Sequence, residues 1–291
     1  MMSRLPSVLV VVTLLLIGCA GTSERARDSE PRAAGLEEIA AAIAGDYVSI
    51  RSPADTTEPT ALRVVALPHA AGMALELNQR RGSIERVFRL ELEPAATPDL
   101  FSARFIPLRI QQAASSPACA MSFRLSAGRL VGATDPNECR FQSGERSLGL
   151  LKEIAFEGDR VLMADQLMLE DGSPLAVPDR LTLGRVAHFS GTLAQRDGEA
   201  WRIARNVSLT SGGNLIEPID AAGMSLGVLL NLELVDNQEM RTSVLRLQVV
   251  DETSGQVKAE VWNAVDSNLI GLALQTLRIE LYRQPAILER P

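Results

Sequence analysis

The chain has 291 residues, 36 of them acidic and 29 basic, for a formal net charge of −7 at pH 7. An acidic balance without a basic stripe argues against nucleic acid as a partner, because phosphate neutralisation by Lys and Arg supplies most of that affinity. Hydrophobic residues make up 46% of the chain and aromatic ones only 4%. It has material for one or two aliphatic cores but few ring faces for a flat ligand.

The first segment has the shape of a secretion signal. Arg4 gives a positive start, and Val8 to Ile17 form an apolar run broken only by Thr13. A helix needs about 20 apolar residues to cross a bilayer core, so this run is too short to span. It closes on Leu16-Ile17-Gly18-Cys19, which resembles the bacterial lipobox. That resemblance implies removal of residues 1–18 and lipidation of Cys19 on its thiol and new amine. Ala20, not Asp, follows the cysteine, which favours the outer membrane under enteric-type sorting. The expected address is therefore the outer membrane, lipid-anchored, facing the periplasm. No later apolar stretch reaches spanning length; Val228 to Leu234 is interrupted by Asn231 and Glu233. Residues 19–34 are polar and charge-mixed with Pro31, the composition of a disordered tether.

Gly35 to Ala44 reads as a short helix, with Leu36, Ile39 and Ile43 on one face and Gly45 as its stop. Beyond it the period is two. Phe88, Leu90 and Leu92 alternate with Arg89, Glu91 and Glu93, and Cys119, Met121, Phe123 and Leu125 with polar or small neighbours. Trp201, Ile203, Val207 and Leu209 recur at odd positions, and Val228, Leu230, Leu232 and Leu234 at even ones. Leu245 to Val249 and Leu277 to Leu281 repeat the pattern. Such alternation makes half-buried antiparallel strands. Turn signals such as Ala127-Gly128, Glu157-Gly158-Asp159 and Asp197-Gly198 separate them. Many short strands with frequent turns predict an all-β barrel or sandwich.

With Cys19 lipidated, Cys119 and Cys139 are left in an oxidising compartment, where a disulfide is their simplest fate. The alternative is a metal site. It lacks further ligands, since the only histidines are His69 and His188; no metal is expected.

The middle of the chain carries Cys119-Ala-Met-Ser-Phe-Arg-Leu-Ser-Ala-Gly-Arg-Leu-Val-Gly-Ala-Thr134, then Cys139, Gly158-Asp159-Arg160, Asp165 and Gly172. Upstream, in order, stand Ile43-Ala44-Gly45-Asp46-Tyr47, Met73-Ala74-Leu75-Glu76 and Arg86-Val87-Phe88-Arg89-Leu90. These pieces resemble the CpcT/CpeT-type chromophore lyase family over residues 35–190. The resemblance implies a lipocalin-like calyx with a short N-terminal helix, a paired Cys119 and Cys139, and an interior that holds a linear tetrapyrrole. It marks Tyr47, Glu76, Arg86, Phe123 and Asp165 as ligand-binding candidates. The family's Asp-Arg-Gly-Phe run reads Asp165-Gln166-Leu167-Met168 here, and its Trp-Gly reads Leu175-Ala176. Much of the aromatic lining a bilin favours is missing, so the fold is expected to carry over and the bilin cofactor and lyase chemistry are not. Residues 191–291 lie outside the resemblance and read as a second small β-domain, or as an extension of the barrel.

Gly223-Met224-Ser225-Leu226-Gly227 has the spacing of a hydrolase nucleophile elbow. A period-two strand follows it, not a helix, and no histidine lies downstream, so its glycines read as turn residues. No catalytic residue is assigned. The expected function is a calyx that binds a small apolar or amphipathic ligand. The alternatives are an adaptor lipoprotein that binds an envelope protein through a strand edge and a retained lyase-like activity.

Overall fold

The computed structural model describes residues 35–55, 57–110, 118–237 and 242–285. The signal, Cys19 and the tether assigned to residues 1–34 lie outside them. Helix α1 (Leu36–Ile43) comes first, with Leu36, Ile39, Ala40 and Ile43 packed on the first core at the spacing of one helix face. Gly45 is not its stop. The helix ends at Ala44, and Gly45, at φ +148°, opens the first strand; a side chain there would run into the Arg185 guanidinium.

Eleven strands follow: β1 (Gly45–Ser49), β2 (Thr60–His69), β3 (Gly72–Arg81), β4 (Ile84–Pro94), β5 (Leu100–Ile110), β6 (Cys119–Ser126), β7 (Arg129–Thr134), β8 (Arg140–Ser143), β9 (Arg146–Glu157), β10 (Arg160–Met168) and β11 (Asp179–Arg185). All but β8 close an antiparallel barrel of ten strands, completed by β7–β9, β9–β10 and β11–β1 pairing. The short β8 is a flap on the edge of β9. Alternation sets the inside: Leu75 and Leu77 on β3, Leu90 on β4, Val161 on β10 and Leu183 on β11 have no solvent-accessible surface at all. Gly132 on β7 faces inward, and Phe123 lies across it, its ring within 2.5 Å of where a Cβ would sit. The glycine thus makes room for the Phe123 ring.

The barrel has two unlike ends. α1 packs against one, beside the tight β6–β7 and β9–β10 turns. The other is bordered by the β3–β4 hairpin, the start of β6 and the long β10–β11 connection.

From residue 188 the chain builds two four-stranded sheets of its own. One has the order β13 (Ala200–Thr210), β12 (His188–Asp197), β19 (Leu277–Arg283), β18 (Leu269–Ala273). The other has β14 (Gly212–Ile216), β15 (Val228–Asn237), β16 (Thr242–Asp251), β17 (Val257–Ala264). Their facing sides bury Phe189, Leu193, Leu230, Leu245, Ile279 and Leu281 in a second core, the arrangement of a sandwich. The sheet boundary thus falls at residues 186–187, and these strands do not extend the barrel ladder.

One alternation changes phase. The odd-position pattern puts Ile203 inside, yet Ile203 is exposed and Ala204 is fully buried. Asn206, at φ +59°, is an extra residue where the β12–β13 register shifts at Gly191/Thr192. The bulge moves everything before it to the opposite face, while Val207 and Leu209 stay in the core.

The sandwich packs on the outer wall of β1 and β11. Val48 points out of the barrel into the second core. Gly184 lies bare under Leu234, where any side chain would collide with the Leu234 methyl group. Arg51 reaches Glu233 at 3.1 Å, and Arg160 donates to Ser243 Oγ at 3.2 Å.

Candidate functional site

The barrel interior is graded. Near α1 it is filled, and near the other end it turns polar. Leu150, Lys152, Ile154 and Phe156 share one face of β9, so Lys152 points inward one step above Ile154. On β10, Val161, Met163 and Asp165 do the same, and Asp165 is the register partner of Lys152. Their side chains meet: Lys152 Nζ lies 2.6 Å from Asp165 Oδ1. The contact is close in distance but off the hydrogen-bond direction, so it is an ion pair more than an aligned bond.

The pair is asymmetric. The Lys152 side chain is 3% exposed and that of Asp165 35%. The ammonium rests over Phe88 at 5.0 Å and Phe105 at 5.7 Å, rings that stack on each other at 5.3 Å. Cation–π attraction and the carboxylate together offset part of the desolvation of the charge. Thr134 Oγ1 accepts from the Lys152 backbone N–H and donates to the Leu150 carbonyl, which fixes β9 beside the pair. The Cys119–Cys139 disulfide is formed. It ties the start of β6 to the segment before β8 at this same end. The exposed face of the mouth is thus a carboxylate neutralised from beneath, with half-buried Leu150 and Leu181 packed at the edge of the core.

The residues marked in the sequence fall in different places. Asp165 is at the mouth. Phe123 is in the packed interior and 1% exposed. Tyr47 faces inward at the α1 end, where its hydroxyl donates to the Ile43 carbonyl at 2.6 Å and accepts from Arg185 at 2.7 Å. Burial pushes the Tyr47 phenol up to about 12, against a smaller lowering by Arg185. Glu76 lies on the outer wall, paired with Arg89 at 3.2 Å. Arg86 is exposed near the β3–β4 hairpin. Lys152 was missed, because Lys152-Glu153 reads as a solvated pair; its parity with Ile154 and Phe156 was the available signal. Ser225 Oγ is bonded to Glu252 at 2.6 Å within a turn flanked by Gly223 and Gly227, both at positive φ. Among the described residues no group of three or more His, Cys, Asp or Glu is placed to hold a metal, and no helix is long and apolar enough to cross a membrane.

The chain matches no protein-family model, and no curated protein shows significant similarity to it.

Proposed function

We propose that this is an outer-membrane lipoprotein, anchored through Cys19 and facing the periplasm, whose barrel mouth binds a small amphipathic molecule. The carrying observation is the polar pair Lys152–Asp165 at the end of an otherwise aliphatic barrel. A buried lysine costs several kcal/mol to desolvate, and a barrel built only for stability does better with an apolar residue there. Ligand sites combine an apolar wall with a few placed polar groups, and the mouth has that composition. Apolar contact and the polar pair would act together on one molecule.

The test is saturable binding of an apolar fluorescent probe, followed by native mass spectrometry of detergent-extracted protein for a co-purified small molecule. Binding should survive Ser225→Ala and fall at least tenfold on Leu150→Arg. A charge at Phe123 is no test of the site, because that ring is part of the packed interior. Failure of the probe to saturate would sink the ligand reading. The address is tested separately: Cys19→Ala should abolish palmitate labelling.

A second reading, an adaptor that binds an envelope protein, is favoured by Ile203, Leu269 and Tyr282. These large side chains stand exposed on the C-terminal sandwich. Its test is crosslinking from those positions in cells. The family resemblance alone carries a chromophore-lyase-like activity, tested by incubation with a free bilin.

A further inference from the structure

We infer that the mouth selects an uncharged head group that donates a hydrogen bond, and that the ligand's tail stays outside the barrel. The inference rests on the reading of the mouth as a ligand site and specifies the ligand's chemistry.

Two observations carry it. The first is the packing beneath the mouth. Leu75, Leu77, Leu90, Val161 and Leu183 have no accessible surface, so no water-sized space touches them. An acyl tail cannot descend past Lys152 without displacing a close-packed core. The ligand must therefore enter head first and remain shallow. The rim suits the tail. Ile84 and Leu108 are exposed beside the β3–β4 hairpin, and Leu175 and Val177 are exposed on the β10–β11 connection, Val177 at 90%. Ile84 lies on β4 and Leu108 on β5, so in strand order three strands separate them from the β10–β11 connection on either side of the barrel, and aliphatic groups flank the mouth on two sides.

The second observation is the charge balance. Lys152 is hidden and Asp165 partly exposed, so of this pair the accessible group is an acceptor. Its charge is already compensated from below. An anionic head would face a carboxylate. A cationic head would leave one carboxylate to balance two cations beside the aliphatic wall. An alcohol or amide donates to Asp165 and leaves the balance intact, avoiding the cost of an uncompensated charge in a poorly solvated place.

The experiment compares three single-chain probes with the same eight-carbon tail: 1-octanoylglycerol, octanoate and octylamine. Calorimetric titration of the folded protein below micellar concentrations is the readout. Octanoylglycerol should bind at least tenfold more tightly than either charged probe. Val177→Asp, a change at a fully exposed rim position, should weaken it severalfold. Asp165→Asn removes the compensating charge and should reverse the preference toward octanoate, a switch that a merely structural role for Asp165 would not produce. Equal or tighter binding of a charged probe to the wild type overturns the inference and leaves the ligand reading standing. So does an unchanged preference in Asp165→Asn. Failure of all three probes to bind overturns both.

Discussion

Tyr47 and Arg185 illustrate how single residues fix one end of the barrel. Arg185 donates to the Ala42 carbonyl at 2.5 Å, the Ala44 carbonyl at 2.7 Å and the Tyr47 hydroxyl at 2.7 Å, and pairs with Asp159 at 2.9 Å. Tyr47 supplies the bond to Ile43. Side chains thus satisfy carbonyls that the C-terminus of α1 leaves without helical partners. Only the neutral phenol can donate to Ile43, and burial holds its pKa near 12 against an ordinary 10.0. The folded state therefore keeps its proton more tightly than the unfolded chain. The resulting stability is fully present below pH ~10 and is lost as pH rises toward ~12. Denaturant midpoints measured across that window should fall more steeply in the wild type than in Tyr47→Phe. The chain has two tyrosines, so tyrosinate absorbance should lose its late step in the variant. Equal slopes would show that Tyr47 does not govern the alkaline limit.

At the scale of elements, alternation was the readable signal, and it failed where one residue changed the count. The odd or even parity of Val228 to Leu234, Leu245 to Val249 and Leu277 to Leu281 matches their burial in the sandwich. The bulge at Asn206 broke the same inference for Ile203, because period two carries no marker of an inserted residue. Lys152 was hidden in another way: its charge spoke for solvent while its parity spoke for the interior, and only the closed barrel decides between them. The disulfide was legible from compartment and count. It closes a separation of 20 residues, a constraint worth roughly 3 kcal/mol in the chain-entropy account. Cys119→Ser with Cys139→Ser should lower stability by about that much, read as a lower urea midpoint with a slope that rises, because the unfolded chain without its cross-link is less compact. The Phe123–Gly132 pair offers a second measurement. Phe123→Ala should cost about 3–5 kcal/mol as a core cavity. Gly132→Leu should also destabilise, through overpacking against that ring. A neutral Gly132→Leu would mean that the interior has room the packing denies.

Taken as a whole molecule, the barrel and the sandwich are joined by contacts that neither makes alone. Val48 belongs by sequence to the barrel and by burial to the sandwich core. Gly184 gives Leu234 its seat. Glu233, largely buried on β15, accepts from Arg51 of the barrel side and from Arg246 on β16, while Arg246 also lies over Trp262 at 5.5 Å. Arg51 uses its other nitrogen to hold the Thr57 carbonyl at 2.6 Å, so the same guanidinium ties a loop between β1 and β2 to the sandwich. Replacing Glu233 with Gln takes the counter-charge from the largely buried Arg51 and leaves Arg246 only the more distant Glu260, at 4.0 Å. Breaking one side of such a network costs on the order of 3 kcal/mol or more. The position of the cost is as informative as its size. If the junction couples the two halves, the wild type unfolds in one transition. Glu233→Gln should then lower the whole transition or split it in two, with Trp201 and Trp262 fluorescence reporting the sandwich. The Gly184→Val variant should act in the same direction, because its side chain pushes Leu234 off β11 without touching either charge. A split that appears in both variants assigns the coupling to the shared surface. A split in Glu233→Gln alone assigns it to the ion network, and a wild type that already unfolds in two steps would show that the junction joins the halves without making them cooperative.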